Sequence, residues 1–169
     1  QTDVPAAITA FEKVIAMSDQ VGESVDDLKQ KVIQVLPGLY YKLAATAYNE
    51  KKPVAEIIAA SKLAGAMAEK YGSKTHGNNS QKILVNGYYM MATEFFSAND
   101  YDNALLAFDS VLTLNPDHIA SIYNKSLIYK NRDEADLFEQ TIDLFLSKLD
   151  PGKDADKAEQ AKGSALEYF

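Results

Sequence analysis

Apolar residues along this 169-residue chain recur every three or four positions, and runs of strict alternation are nearly absent. Side chains at that spacing return to one side of an α-helix, so the pattern predicts helices almost throughout. Eight segments follow from it. The first opens after Asp3, whose carboxylate is placed to cap it, holds Pro5 in its opening turn, and turns Ile8, Phe11, Val14 and Ile15 to one face as far as about Ser18. The second opens at Ser24, with Asp27 three residues on in a capping-box-like start, and carries Leu28, Val32, Ile33 and Leu36. Pro37 and Gly38 predict a kink or break, after which the pattern resumes from Leu39 to Asn49. Lys52-Pro53 marks a turn into a helix lasting to about Tyr71, capped by Gly72.

Ser73 to Ser80 is rich in Gly, Asn, Ser and Thr and offers no apolar side chain, which predicts a surface loop and the most mobile part of the chain. Helical spacing returns from about Gln81 to Ala98. A turn at Asn99-Asp100 leads to a helix ending at Leu114, and Asn115-Pro116-Asp117 forms the next turn, with Asp117 as the expected cap of a helix to Asn131. Another runs from about Glu134 to Leu149 and stops at Asp150-Pro151-Gly152; the last starts at Asp154 and is expected to continue through Phe169.

Five residues come back at a fixed offset of 97: Asp3, Ala7, Ala10, Phe11 and Val14 reappear as Asp100, Ala104, Ala107, Phe108 and Val111. One helical unit has been used at least twice. Within the second copy, Tyr88, Ala92 and Phe95 of an outgoing helix are followed by Ala104, Phe108, Val111 and Pro116 of a returning one. This order of large and small residues resembles a tetratricopeptide repeat, a pair of antiparallel helices of about 34 residues. Ile122, Ser126 and Tyr129 open a second such unit, which degrades where Phe138 replaces a small residue and Pro151 falls one position late. Tyr41, Ala45 and Tyr48 suit an earlier unit, whose Ile57 and Ser61 match poorly.

The resemblance implies an all-α fold, a right-handed α-α superhelix of antiparallel helix pairs, organised as one domain over 1–169. Its parts would be a returning helix of a partial repeat (1–20), a long kinked helix plus a returning helix (24–72), the best-matching repeat (81–117), a degenerate repeat (118–152) and a terminal or continuing helix (154–169). Small residues in such a repeat let helix axes approach to about 8–10 Å, so Ala92 and Ala104 should sit at a close crossing.

Composition narrows the functions open to such a fold. Twenty-four acidic against seventeen basic residues give a net charge of −7, which disfavours nucleic acid as a partner. No apolar run reaches the roughly 20 residues of a membrane-spanning helix, since Lys62 breaks even Ile57 to Met67. The absence of cysteine excludes disulfides and thiolate metal sites. A start at Gln1 rather than Met suggests either an exported protein whose leader has been removed or a chosen boundary.

Candidate chemistry is sparse. His76 in the polar segment and His118 after the Pro116-Asp117 turn have no ligand-spaced neighbours and read as solvated surface histidines. Asp150, Asp154 and Asp156, like Asp133, Glu134 and Asp136, suit helix starts better than a calcium loop. No phosphate-binding loop or nucleophile elbow occurs, so neither catalysis nor a cofactor is expected.

The resemblance places partner binding on the concave face, on outgoing-helix side chains that do not enter the stack. Register selects Lys42, Thr46, Asn49, Asn86, Tyr89, Thr93, Tyr123, Asn124, Leu127 and Lys130. Amides, hydroxyls and tyrosines can hydrogen-bond a peptide backbone and supply apolar contact, which implies a protein or peptide partner. The family's clamp for a terminal carboxylate is not reproduced, because Thr46, Met90, Ala120 and Asn124 stand where its polar and basic groups belong. The alternative is self-association through incomplete repeat ends, with Ala59, Ala60, Ala64 and Gly65 as a further close-packing surface.

Overall fold

The computed structural model describes residues 3–21 and 26–168, and it is helical throughout, with no strand among them. The helices are α1 (Val4–Val21), α2 (Asp26–Asn49), α3 (Val54–Lys70), α4 (Lys74–Ser97), α5 (Tyr101–Leu114), α6 (Ile119–Asn131), α7 (Ala135–Ser147) and α8 (Ala155–Leu166). The expected start at Ser24 lies outside the described residues. Two compact units emerge, Gln1–Gly87 and Tyr88–Phe169, with α4 contributing to each.

In the first unit, α2 runs as one long helix through Pro37; of the expected kink or break, the break does not occur. A proline inside a helix costs about 3 kcal/mol. Here Leu36, Pro37, Tyr40, Ala44 and Ala47 are all buried on one stripe, and that burial offsets the lost hydrogen bond. Gly38 serves a close approach, since a Cβ there would stand 3.3 Å from the His76 ring.

Ser73 to Ser80 is not the predicted loop. Ser73 precedes α4 and the remaining residues form its first two turns. The misreading has a physical cause: these residues are small rather than apolar, and they let α4 lie close on its neighbours. A Cβ on Gly77 would meet that of Ala68 at 3.7 Å, and one on Gly87 would press Ile58 at 3.0 Å. Ser80 is fully buried, with its hydroxyl lacking a hydrogen-bond partner. The apolar surface buried in this layer comes from Ile57, Ile58, Ala64 and Ala68 of α3, not from α4's opening turns.

Four helices end in the same turn. Lys51, Gly72, Asn99 and Asp133 have φ of 54°, 70°, 59° and 58°, the left-handed region. In each case the following residue's N–H reaches back over the last turn: Lys52 to Ala47 O, Ser73 to Ala68 O, Asp100 to Phe95 O and Glu134 to Tyr129 O. This is the Schellman arrangement, which satisfies carbonyls a helix end would leave bare. The expected stop at Gly72 is met; it stands one residue beyond the cap, Tyr71.

The second unit builds its core from two clusters. Ala92, Ala104, Ala107, Phe108 and Ile128 form one, joined by Tyr89, Phe95 and Leu105. Ile122, Phe138, Ile142, Phe145 and Ala161 form the other, joined by Leu112, Tyr123 and Leu146. Phe138, the bulky residue in a small slot, is fully buried. α8 stops at Leu166, short of the expected run through Phe169.

Candidate functional site

Helix starts fix the orientation of the side chains around Tyr89. α6 is capped by His118 rather than by Asp117: His118 Nδ1 accepts from Ser121 N at 3.3 Å and lies 2.9 Å from Ser121 Oγ. Asp117 instead pairs with Lys148 at 2.5 Å. An imidazole accepting at Nδ1 carries its proton on Nε2 and is neutral. Burial pushes the His118 pKa down, in keeping with that neutral form.

His118 is therefore half-buried rather than a solvated surface group, its ring 5.0 Å from that of Tyr89. His76 departs from expectation in the same way. It is half-buried, sits 2.8 Å from Ser73 Oγ through Nδ1, and packs 5.9 Å from the Tyr41 ring. Both histidines organise a helix start through a serine three residues away, in opposite order along the chain.

Tyr89 packs its ring on Phe108 at 6.0 Å, and its hydroxyl accepts from Asn124 Nδ2 at 3.2 Å. This bond joins α4 to α6. Tyr123 lies next in sequence, half-buried against Phe145 at 5.0 Å. Leu127 is half-buried one turn further along, while Thr93 turns its hydroxyl to Met90 O. Lys130 is drawn away, because its ammonium donates to the carbonyl and hydroxyl of Ser164, both at 2.9 Å, and so ties α6 to α8. Of the six expected residues in this unit, Tyr89 and Asn124 are directly joined, and Lys130 is spent on packing.

The remaining four lie in the first unit. Lys42, Thr46 and Asn49 are exposed on α2, and Asn86 of α4 donates to the Tyr48 hydroxyl at 3.3 Å. Like Asn124 and Tyr89, these are an amide and a tyrosine hydroxyl paired between two helices. Thr46 also borders a hollow of about 310 Å³ between α2 and α3, shared with Leu43, Ala59, Ala60 and Leu63. Ala64 faces the core and Gly65 faces open space, so the small-residue stripe of α3 is divided between interior and surface.

Sequence reasoning missed His118 and Tyr48. No sequence signal marked His118, since imidazole is not among the usual capping side chains and Asp117 beside it is. Tyr48 was assigned to packing by the repeat pattern, which hides its hydroxyl. No group of three His, Asp or Glu side chains suited to a metal occurs among the described residues. Neither a family model, nor a curated protein, nor a solved structure matches this chain.

Proposed function

We propose that the chain is a non-catalytic binding module of tetratricopeptide type, whose outgoing-helix side chains take an extended peptide segment of a partner protein. The observation that carries this reading is the Asn124–Tyr89 hydrogen bond. A phenolic oxygen that accepts still has its own proton to donate, and an amide that donates through Nδ2 still has Oδ1 to accept with. Such a pair offers one donor and one acceptor side by side, the complement of a peptide unit's carbonyl and N–H. The half-buried rings of Tyr89 and Tyr123 add apolar surface at low conformational cost. The repeat spacing supports the same reading, with small residues Ala92 and Ser126 both fully buried in corresponding slots.

Panning a random-peptide display library against the intact protein, followed by calorimetric titration of the selected peptides, tests the proposal. Peptides are expected to bind, and Tyr89→Phe combined with Asn124→Ala should weaken them at least tenfold with circular dichroism unchanged and the melting point lowered by no more than a few degrees. Failure to select any peptide, or peptides indifferent to this double variant, sinks the reading.

A further inference from the structure

A titratable side chain stands behind the Tyr89–Asn124 pair. The His118 ring lies 5.0 Å from the Tyr89 ring, and its Nδ1 accepts from Ser121 N in the first turn of α6, the helix that carries Asn124. Ser121 is fully buried, and its hydroxyl meets the same Nδ1 at 2.9 Å. Asn124 follows Ser121 by three residues, which places the two one turn apart on neighbouring positions of the helix surface. Tyr89 for its part contacts the rings of both His118 and Phe108 while its hydroxyl accepts from Asn124. One imidazole therefore bears on both members of the pair.

The arrangement depends on a lone pair. Neutral His118 presents one at Nδ1, whereas an imidazolium presents an N–H there, set against the N–H of Ser121. Its charge would also sit at the amino end of α6, where the helix dipole disfavours a cation, and in a half-buried place. The Tyr89 ring face and a backbone hydrogen bond favour the cation, but burial prevails, and the pKa lies below the ordinary imidazole value. Charged groups on the surrounding elements are engaged elsewhere: Asp117 of the preceding turn with Lys148 of α7, Asp109 of α5 with Lys125 of α6, and Lys130 of α6 with Ser164 of α8. From α4 the group that faces the imidazole is the Tyr89 phenol.

We propose that His118 is the positioning residue of the peptide site and its proton switch: neutral, it holds Tyr89 and Asn124 in place; protonated, its ring leaves Ser121, the pair loosens and the peptide is released. This rests on the peptide-binding reading of that pair and adds to it the pH range in which the site works. Peptide and proton then oppose one another. Acid weakens peptide binding, and a bound peptide lowers the imidazole's affinity for its proton by the same factor. His76, the other histidine of the chain, touches Ser73 and Tyr41 instead and takes no part.

Nuclear magnetic resonance of the ligand-free protein from about pH 7.5 to about pH 5.5 reads the switch through His118 Hε1, the Ser121 amide and the Asn124 side-chain amide. All three should share one midpoint, below the ordinary imidazole value. For peptides selected as above, calorimetric affinity should fall about fivefold or more across that range. His118→Asn puts an amide that does not titrate in place of the imidazole and should flatten both profiles, while His76→Asn should leave the step where it is. Should His118→Asn fail to fold, the wild-type spectra decide alone. Three results overturn the proposal: Asn124 signals that ignore the His118 titration; peptide affinity level from neutral to acid; or a step that outlasts His118→Asn or disappears with His76→Asn. Level affinity condemns the switch and spares the peptide reading, whereas selection of no peptide at any pH sinks both together.

Discussion

α1 and α5 begin alike and end up in different surroundings. Asp3 Oδ1 accepts from Ala6 N at 3.1 Å and Asp100 Oδ1 from Asn103 N at 3.4 Å, so the shared aspartate caps both helices. Their stripes then diverge, with Phe108 and Val111 fully buried and Phe11 and Val14 half-covered. A local pattern determines that a helix forms and where it starts; its depth is set by neighbours that the pattern does not contain. α1 compensates partly through Tyr40, whose hydroxyl donates to Glu12 and whose pKa is pushed up, first by burial and then by that carboxylate.

The largest test of this contrast is truncation of the shared phenylalanine. Phe108→Ala should cost about 3–5 kcal/mol, whereas half-covered Phe11→Ala should cost roughly 1 kcal/mol in urea denaturation at high dilution. Equal losses would erase the distinction. Overpacking comes next: Ala104→Leu, at a fully buried crossing, should destabilise by about 1–3 kcal/mol, while Ala7→Leu should be close to neutral. Similar midpoints for the two would show that α5 has room the packing denies.

Removing the caps should do the opposite and level the two helices. Asp3→Ala and Asp100→Ala should each cost about 1 kcal/mol, because the cap is local and indifferent to what covers the stripe. A large difference between them would mean that the helix starts are not equivalent after all. The smallest effect belongs to His118, the cap of α6, which packs on Tyr89. Its folded-state pKa lies below the ordinary imidazole value, so the unfolded chain takes up the proton first as pH falls. Stability present above about pH 6.5 should therefore decline as pH drops through that value and level off once the folded state is protonated too. His118→Asn keeps a capping acceptor without the titration, and urea midpoints from neutral to mildly acidic pH should show its profile flattened relative to wild type.

The helices after Asp3 and Asn99, and the stop at Gly72, were legible because each rests on contacts within a few residues. The opening of α4 was not. Its small polar residues carry no amphipathic signal, and their helical state depends on the faces of α2 and α3 that they approach. At Pro37 the choice between a kink and a break was open for the same reason, as the local penalty is set against burial supplied from elsewhere, and the helix continues. In the candidate site, register put Tyr89 and Asn124 on one expected face, and the structure joins their side chains by a hydrogen bond. Lys130, expected on the same face, has a side chain long enough to reach Ser164 on α8. His118 was overlooked because an aspartate next to it offered the more familiar cap.

Three of the four left-handed corners carry side chains that are not glycine's hydrogen, and this has a consequence for how the chain can diverge. The backbone bonds at Lys51, Asn99 and Asp133 hold each corner whatever the residue's own preference, at a local cost of about 1 kcal/mol. A cation, an amide and an anion already occupy equivalent places. Substitution at these corners can therefore rewrite the molecule's outer chemistry one hairpin at a time while its architecture stays as it is.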